Sequence, residues 1–127
     1  MLDVKKYVYA ALKNDAPLIA LLGSTAKVQF YYPNDFTALP VVTYQELNQS
    51  DEQQGYFDNV PTSVESTIQI DAWVSSTGLA PIVVCIDNIM HGLLFNTDFS
   101  SDVYEPDTKI QHRVMRYRRS FTADDLD

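Results

Sequence analysis

His91, His112, Cys85 and the carboxylates Glu46 and Asp71 are the side chains from which a catalytic or metal site in this chain would have to be assembled. A nucleophilic unit needs a histidine beside a serine or cysteine, and a hydrolase serine sits on a sharp, glycine-flanked turn. No such turn occurs. The spacing of Cys85 and His91 puts them on roughly opposite sides of a helix, and no basic residue flanks the thiol to activate it. Within the apolar run Ile82-Val83-Val84-Cys85-Ile86 the lone cysteine reads as a small buried hydrophobe with no internal disulfide partner.

Metal chemistry finds no better footing. CxxC, HxxxH and the Asp-rich calcium loop are all missing, and the four glycines are scattered rather than gathered into a phosphate-cradling loop. Glu46 and Asp71 could face one another on adjacent strands as an acid/base pair. Both, however, lie on the polar parity of amphipathic segments, which is the pattern of a solvated sheet face. Asp87 and Asn88 read in the same way as a solvated helix face. The expectation is a protein without enzyme activity, cofactor or metal.

The remaining concentration of chemistry is positive charge. All four arginines, Arg113, Arg116, Arg118 and Arg119, fall close together near the C-terminus, while acids gather in 51–65, in 98–107 and in the tail Asp124-Asp125-Leu126-Asp127. Arg116 and Arg118 share strand parity with His112 and Val114, and Arg113 and Arg119 share the other with Met115 and Phe121. Charge on both faces of a strand discourages unwanted edge pairing. The same guanidiniums, as planar forks, also suit carboxylates on a neighbouring subunit. A basic strip and acidic patches on one small chain fit head-to-tail contact between identical copies.

The elements that carry these residues follow from periodicity. Val4, Tyr7, Val8, Ala11 and Leu12 trace the apolar stripe of a helix over about residues 2–13. Asp15 and Pro17 open a second short helical turn that Gly23 closes. Strands are expected at 27–32, at 40–49 with Pro40 at its first position, and at 66–74, where Ile68, Ile70, Ala72 and Val74 alternate with polar residues. Ser75-Ser76-Thr77 offers an N-cap to a helix carrying Ile82, Val83, Ile86, Met90, Leu93 and Leu94. A weaker strand over 97–105, a Pro106-Asp107 turn and a long strand over 109–121 complete the chain.

The fold class is therefore α+β, a mostly antiparallel sheet of four or five strands with helices on one face, in the order α-β-β-β-α-β-β. The turn-rich stretch 50–63 is long for a connection in a compact domain. It reads either as an arm that orders on assembly, with Asp51, Glu52, Tyr56, Phe57 and Asp58 as contact residues, or as a plain hairpin connection.

With 127 residues, one domain spanning 1–127 is expected, closed by an acidic tail at 122–127. A hydrophobic fraction of 46% with 20% charged residues is ordinary for a folded chain. A net charge of −8 argues against general nucleic-acid binding. No apolar run approaches the roughly 18 residues of a membrane span, and the N-terminus carries no signal-peptide pattern, so synthesis and assembly in a cytoplasm are expected.

The succession Leu39-Pro40-Val41-Val42-Thr43-Tyr44-Gln45-Glu46, Ile68-Gln69-Ile70-Asp71-Ala72-Trp73, Ile86-Asp87-Asn88-Ile89-Met90, Val103-Tyr104-Glu105-Pro106-Asp107-Thr108-Lys109-Ile110 and His112-Arg113-Val114-Met115-Arg116-Tyr117 resembles the tail-completion, or tail-to-head joining, proteins of long-tailed phages and prophages. The resemblance spans almost the whole chain and implies a terminator-like structural virion protein at the head–tail junction. It further implies a ring of copies, sixfold in the virion, seated between the tail tube protein and the head-connector or stopper protein, with no cofactor and no catalytic residues. Another minor neck protein, or a small-ligand-binding α+β domain with a closed apolar pocket, are the competing readings.

Overall fold

A computed structural model of the chain describes residues 3–51, 56–57, 60–61, 63–75, 77–106, 108–122 and 125. Helix α1 (Val4–Lys13) begins where the Asp3 carboxylate accepts the Lys6 N–H at 3.2 Å, and it buries Val4, Val8 and Leu12. Helix α2 (Ala16–Leu22) is capped by Asp15, which accepts from the Leu18 N–H at 3.0 Å. It ends at Gly23, whose φ of 92° is the left-handed C-cap that glycine adopts without a Cβ penalty.

Strand β1 (Val28–Phe30) is followed by β2 (Val41–Asp51), a two-residue β3 (Tyr56–Phe57), β4 (Val60–Pro61) and β5 (Ser63–Val74). After helix α3 (Leu79–Gly92) come β6 (Asn96–Glu105) and β7 (Ile110–Thr122). The main sheet has the order β1-β2-β5-β7-β6, and every pairing but β1–β2 is antiparallel. The α+β class and the mostly antiparallel sheet are as expected from the sequence.

Three local expectations are corrected. The 50–63 connection is narrower, because the β2–β5 ladder continues to Asp51↔Val64 and β3 pairs with β4 inside it. The N-cap of α3 is Gly78 at φ 94°, with no side-chain cap bond, rather than Ser75 or Thr77; Ser76 lies outside the described residues. A left-handed backbone at that position favours glycine over serine or threonine. Leu94, placed on the α3 stripe by spacing, lies past the end of the helix at φ 68° and is exposed.

The core lies between the helices and one sheet face. Val4, Val8, Leu12, Leu18, Ile82, Ile86 and Met90 pack against Val42, Ile68, Ile70, Ala72, Met115, Tyr117 and Phe121. The parallel β1–β2 pair forces segment 31–40 to travel back along the sheet. It does so across the face away from the helices, where the Tyr32 and Phe36 rings each meet Trp73 edge-on at 5.5 Å. That far face consequently has a covered end around Val41, Trp73 and His112 and an open end around Gln69, Arg116 and Arg118.

Candidate interaction surface

The arginines keep the parity expected of them. Ladder partners Gln69↔Arg116 and Thr67↔Arg118 put two guanidiniums on the open sheet face, whereas Arg113 and Arg119 lie on the helix face with Met115 and Phe121. Arg113 donates through Nε to Ser100 Oγ at 2.8 Å and through a terminal nitrogen to Asp102 at 2.9 Å. Arg118 stands 3.5 Å from Asp98, which the bulge between Thr97 and Phe99 leaves outside the regular register. Arg119 is nearly buried. It donates to the Leu93 carbonyl at the end of α3 at 2.6 Å, lies 3.7 Å from Asp125, and covers the Phe121 ring at 4.2 Å.

Arg116 differs from the other three. Its Nε donates to the neutral Gln69 Oε1 at 3.0 Å and its guanidinium lies 5.2 Å over the Phe99 ring, with no carboxylate in ion-pair range among the described residues. Of the loop residues expected to accompany the strip, Asp51 ends β2, and Tyr56 and Phe57 form the short β3–β4 ladder. Glu52 and Asp58 lie outside the described residues.

The structure adds a cluster that periodicity missed. Asp71 is 6% exposed rather than solvated, because segment 31–40 roofs its end of the far face. Its carboxylate lies 2.7 Å from His112 Nε2 and accepts from Gln69 Nε2 at 2.9 Å. Trp73 stacks on the His112 ring with centroids 3.6 Å apart and donates its indole N–H to Thr43 Oγ1 at 3.0 Å. The strand register, which sequence does not reveal, is what brings Thr43, Asp71, Trp73 and His112 side by side. Glu46 is no partner of Asp71: the register puts it on the opposite face, where it accepts from Ser66 and Gln49.

Asp87 is likewise not a solvated helix residue, since the buried Tyr117 hydroxyl donates to it from β7. Burial, with that bond added, pushes the Tyr117 phenol far above its usual value. Burial, with Asp15 adding to it, also raises the half-buried Cys85 thiol, which keeps it in its unreactive form. Among the described residues no cluster of histidines, cysteines and carboxylates could hold a metal ion, and no helix is long and apolar enough to cross a membrane.

Both outer margins of the sheet carry exposed apolar side chains. Phe30, Tyr31 and Tyr32 are 55%, 60% and 53% exposed at β1, and Phe99, Val103 and Tyr104 are 45%, 43% and 52% exposed at β6. Beside β6, an open cleft of about 510 Å³ runs between the first turns of α3 and β7, lined by Leu79, Val83, Val84, Asp102, Gln111 and Arg113. Exposed apolar patches rimmed by polar groups mark interaction surfaces or ligand-binding grooves.

A chain of the virion of a native gene transfer agent particle superposes with a TM-score of 0.60 at 15% identity, over 87% of this chain and 88% of that one. The bacteriophage SPP1 gp17 protein superposes with a TM-score of 0.53 at 13% identity, over 98% of this chain and 91% of that one. At such identities the likeness is one of fold. No curated protein sequence matches significantly. The family model for Tail completion protein gp17 matches residues 6–121, nearly the whole chain, and on that extent the chain belongs to the tail completion protein gp17 family.

Proposed function

We propose that the chain is a structural virion component that closes a finished tail tube and joins it to the head connector, working as a ring of identical copies, six in the virion. The observation that carries this reading is the family match over residues 6–121. Its partners are then further copies of itself, the tail tube protein and the connector or stopper protein, and its place is the head–tail junction after assembly in the host cytoplasm. The role requires surfaces rather than a reaction. The two apolar sheet margins and the arginines of β7 are consistent with that requirement.

Within the assembly, Arg116 and Arg118 contribute charged contacts to acidic groups of a neighbour, with Arg116 the better placed because its own chain supplies it only neutral partners among the described residues. Arg113 and Arg119, together with Asp51, Glu52, Tyr56, Phe57 and Asp58, complete the proposed contact set.

Purified protein mixed with tail tubes assembled without it, viewed by negative-stain microscopy, is the direct test. Extra density at one end of each tube is expected. Tubes left bare, with density instead on isolated connectors, would move the chain to another neck position.

A further inference from the structure

We propose that copies of this chain join edge to edge, the outer margin of β6 on one receiving the outer margin of β1 on the next, so that the main sheet continues from subunit to subunit. The inference rests on the ring reading above and names the surfaces that would build it.

The sheet has two ends, and no strand among the described residues pairs with the outer side of β1 or of β6. On β1 the Val28 N–H is bonded to the Thr25 carbonyl and the Phe30 carbonyl to the Tyr32 N–H, which leaves the Val28 carbonyl and the Phe30 N–H to face a neighbour. An open ten-residue edge such as β6 is a template for another strand unless something blunts it. Its acids would serve that purpose, but Asp98 and Asp102 are engaged by Arg118 and Arg113 of β7, so their charge is offset within the subunit. What β6 leaves on its margin is Phe99 and Val103 on the far face and Tyr104 on the helix side, where the cleft under α3 lies.

The other end of the sheet has the matching character. Phe30, Tyr31 and Tyr32 stand exposed at β1, and the Lys5 ammonium from α1 lies 5.6 Å over the Phe30 ring on the helix side. The cleft beside β6 is also on the helix side and has the exposed Asp102, paired with Arg113, in its wall. Aromatic rings at one margin therefore meet an apolar cleft at the other, the match resting on apolar surface because Asp102 is already paired with Arg113.

Strand direction agrees. β1 is parallel to β2, and three successive antiparallel pairings lead from β2 through β5 and β7 to β6, so β6 runs opposite to β1. Copies related by rotation about an axis near the strand direction would place the two edges antiparallel, the pairing this sheet already uses. Because the two edges differ, the contact is heterologous, and it can close into a ring where a like-with-like contact stops at a dimer.

The test uses p-benzoylphenylalanine in place of Phe30, an exposed aromatic site, in protein mixed with tail tubes that lack it. Isotopically heavy and light copies are combined so that links between copies can be told from links within one. Photolysis is expected to join residue 30 of one copy to residues 96–105 of another. Links from residue 30 to 28–32 of another copy, or to any other surface, would overturn the edge pairing. Capped tubes without intermolecular links would overturn it too while leaving tube closure standing, and bare tubes with no self-association would remove both. As an independent check, Val103→Lys is expected to weaken self-association at least tenfold with unchanged thermal unfolding. Wild-type association in that variant would also refute the pairing.

Discussion

Tyr117 shows how a single side chain ties the helix layer to the sheet. Its ring is fully buried among core residues while its hydroxyl donates to Asp87 on α3. Tyr117→Phe leaves Asp87 without that donor and should cost about 1–3 kcal/mol in urea unfolding at neutral pH. The folded phenol is raised, so its stabilising contribution is complete below the unfolded value of about 10 and is lost as pH rises past it. Stability of the wild type should therefore fall more steeply above pH about 10 than that of Tyr117→Phe, and equal slopes would refute the assignment. On the other sheet face, His112→Ala strips Asp71 of its ring partner and Trp73 of its stack. A loss of about 3 kcal/mol is expected by the same measurement. Parity in the sequence sorted the arginines between the faces, but it read Asp71 and Asp87 as solvated. The burial of Asp71 and the partial cover of Asp87 come from segments distant in sequence, 31–40 over the end of the far face and β7 against α3, and no local pattern encodes that cover.

Among the elements, those legible in the sequence were the ones whose signals are local. The Asp15 cap and the Gly23 stop appear where spacing placed them, and the alternation of β5 holds from Ser66 to Ile70, beyond which Asp71 and Trp73 are buried as well. The start of α3 did not, because the hydroxyl residues suggested a cap while the backbone turns through a left-handed conformation at Gly78. Gly78→Ala meets no atom within 4 Å, so its cost is conformational alone, about 1 kcal/mol, and a Tm lowered by a few degrees is expected. Gly78→Ser should be no better, since a hydroxyl does not relieve a positive φ. A gain in Tm for the serine variant would revive the hydroxyl cap. The parallel β1–β2 pair was also beyond local signals, for strand direction depends on the route of 31–40 rather than on the composition of either strand.

At the scale of the whole molecule, a net charge of −8 on each copy opposes assembly, and the arginines of β7 are the concentrated positive charge available to offset it. Arg116→Glu with Arg118→Glu is expected to abolish self-association by light scattering while circular dichroism shows the fold intact; unchanged association would remove these side chains from the interface. The family resemblance was readable across nearly the whole chain, because a structural protein spreads its signature along its strands and helix instead of concentrating it in a motif. The proposed contact surfaces were less readable, since the sheet margins exist only once five strands have taken their order. That order has one more consequence. On the far face the central β5–β7 pair runs between an aromatic end, roofed by segment 31–40, and a wet end bearing Arg116 and Arg118. Copies set side by side with their strands aligned would give the closed assembly two chemically unlike rims, so that it could be threaded onto a tube one way round and would hand its opposite, unmistakable side to whatever arrives next.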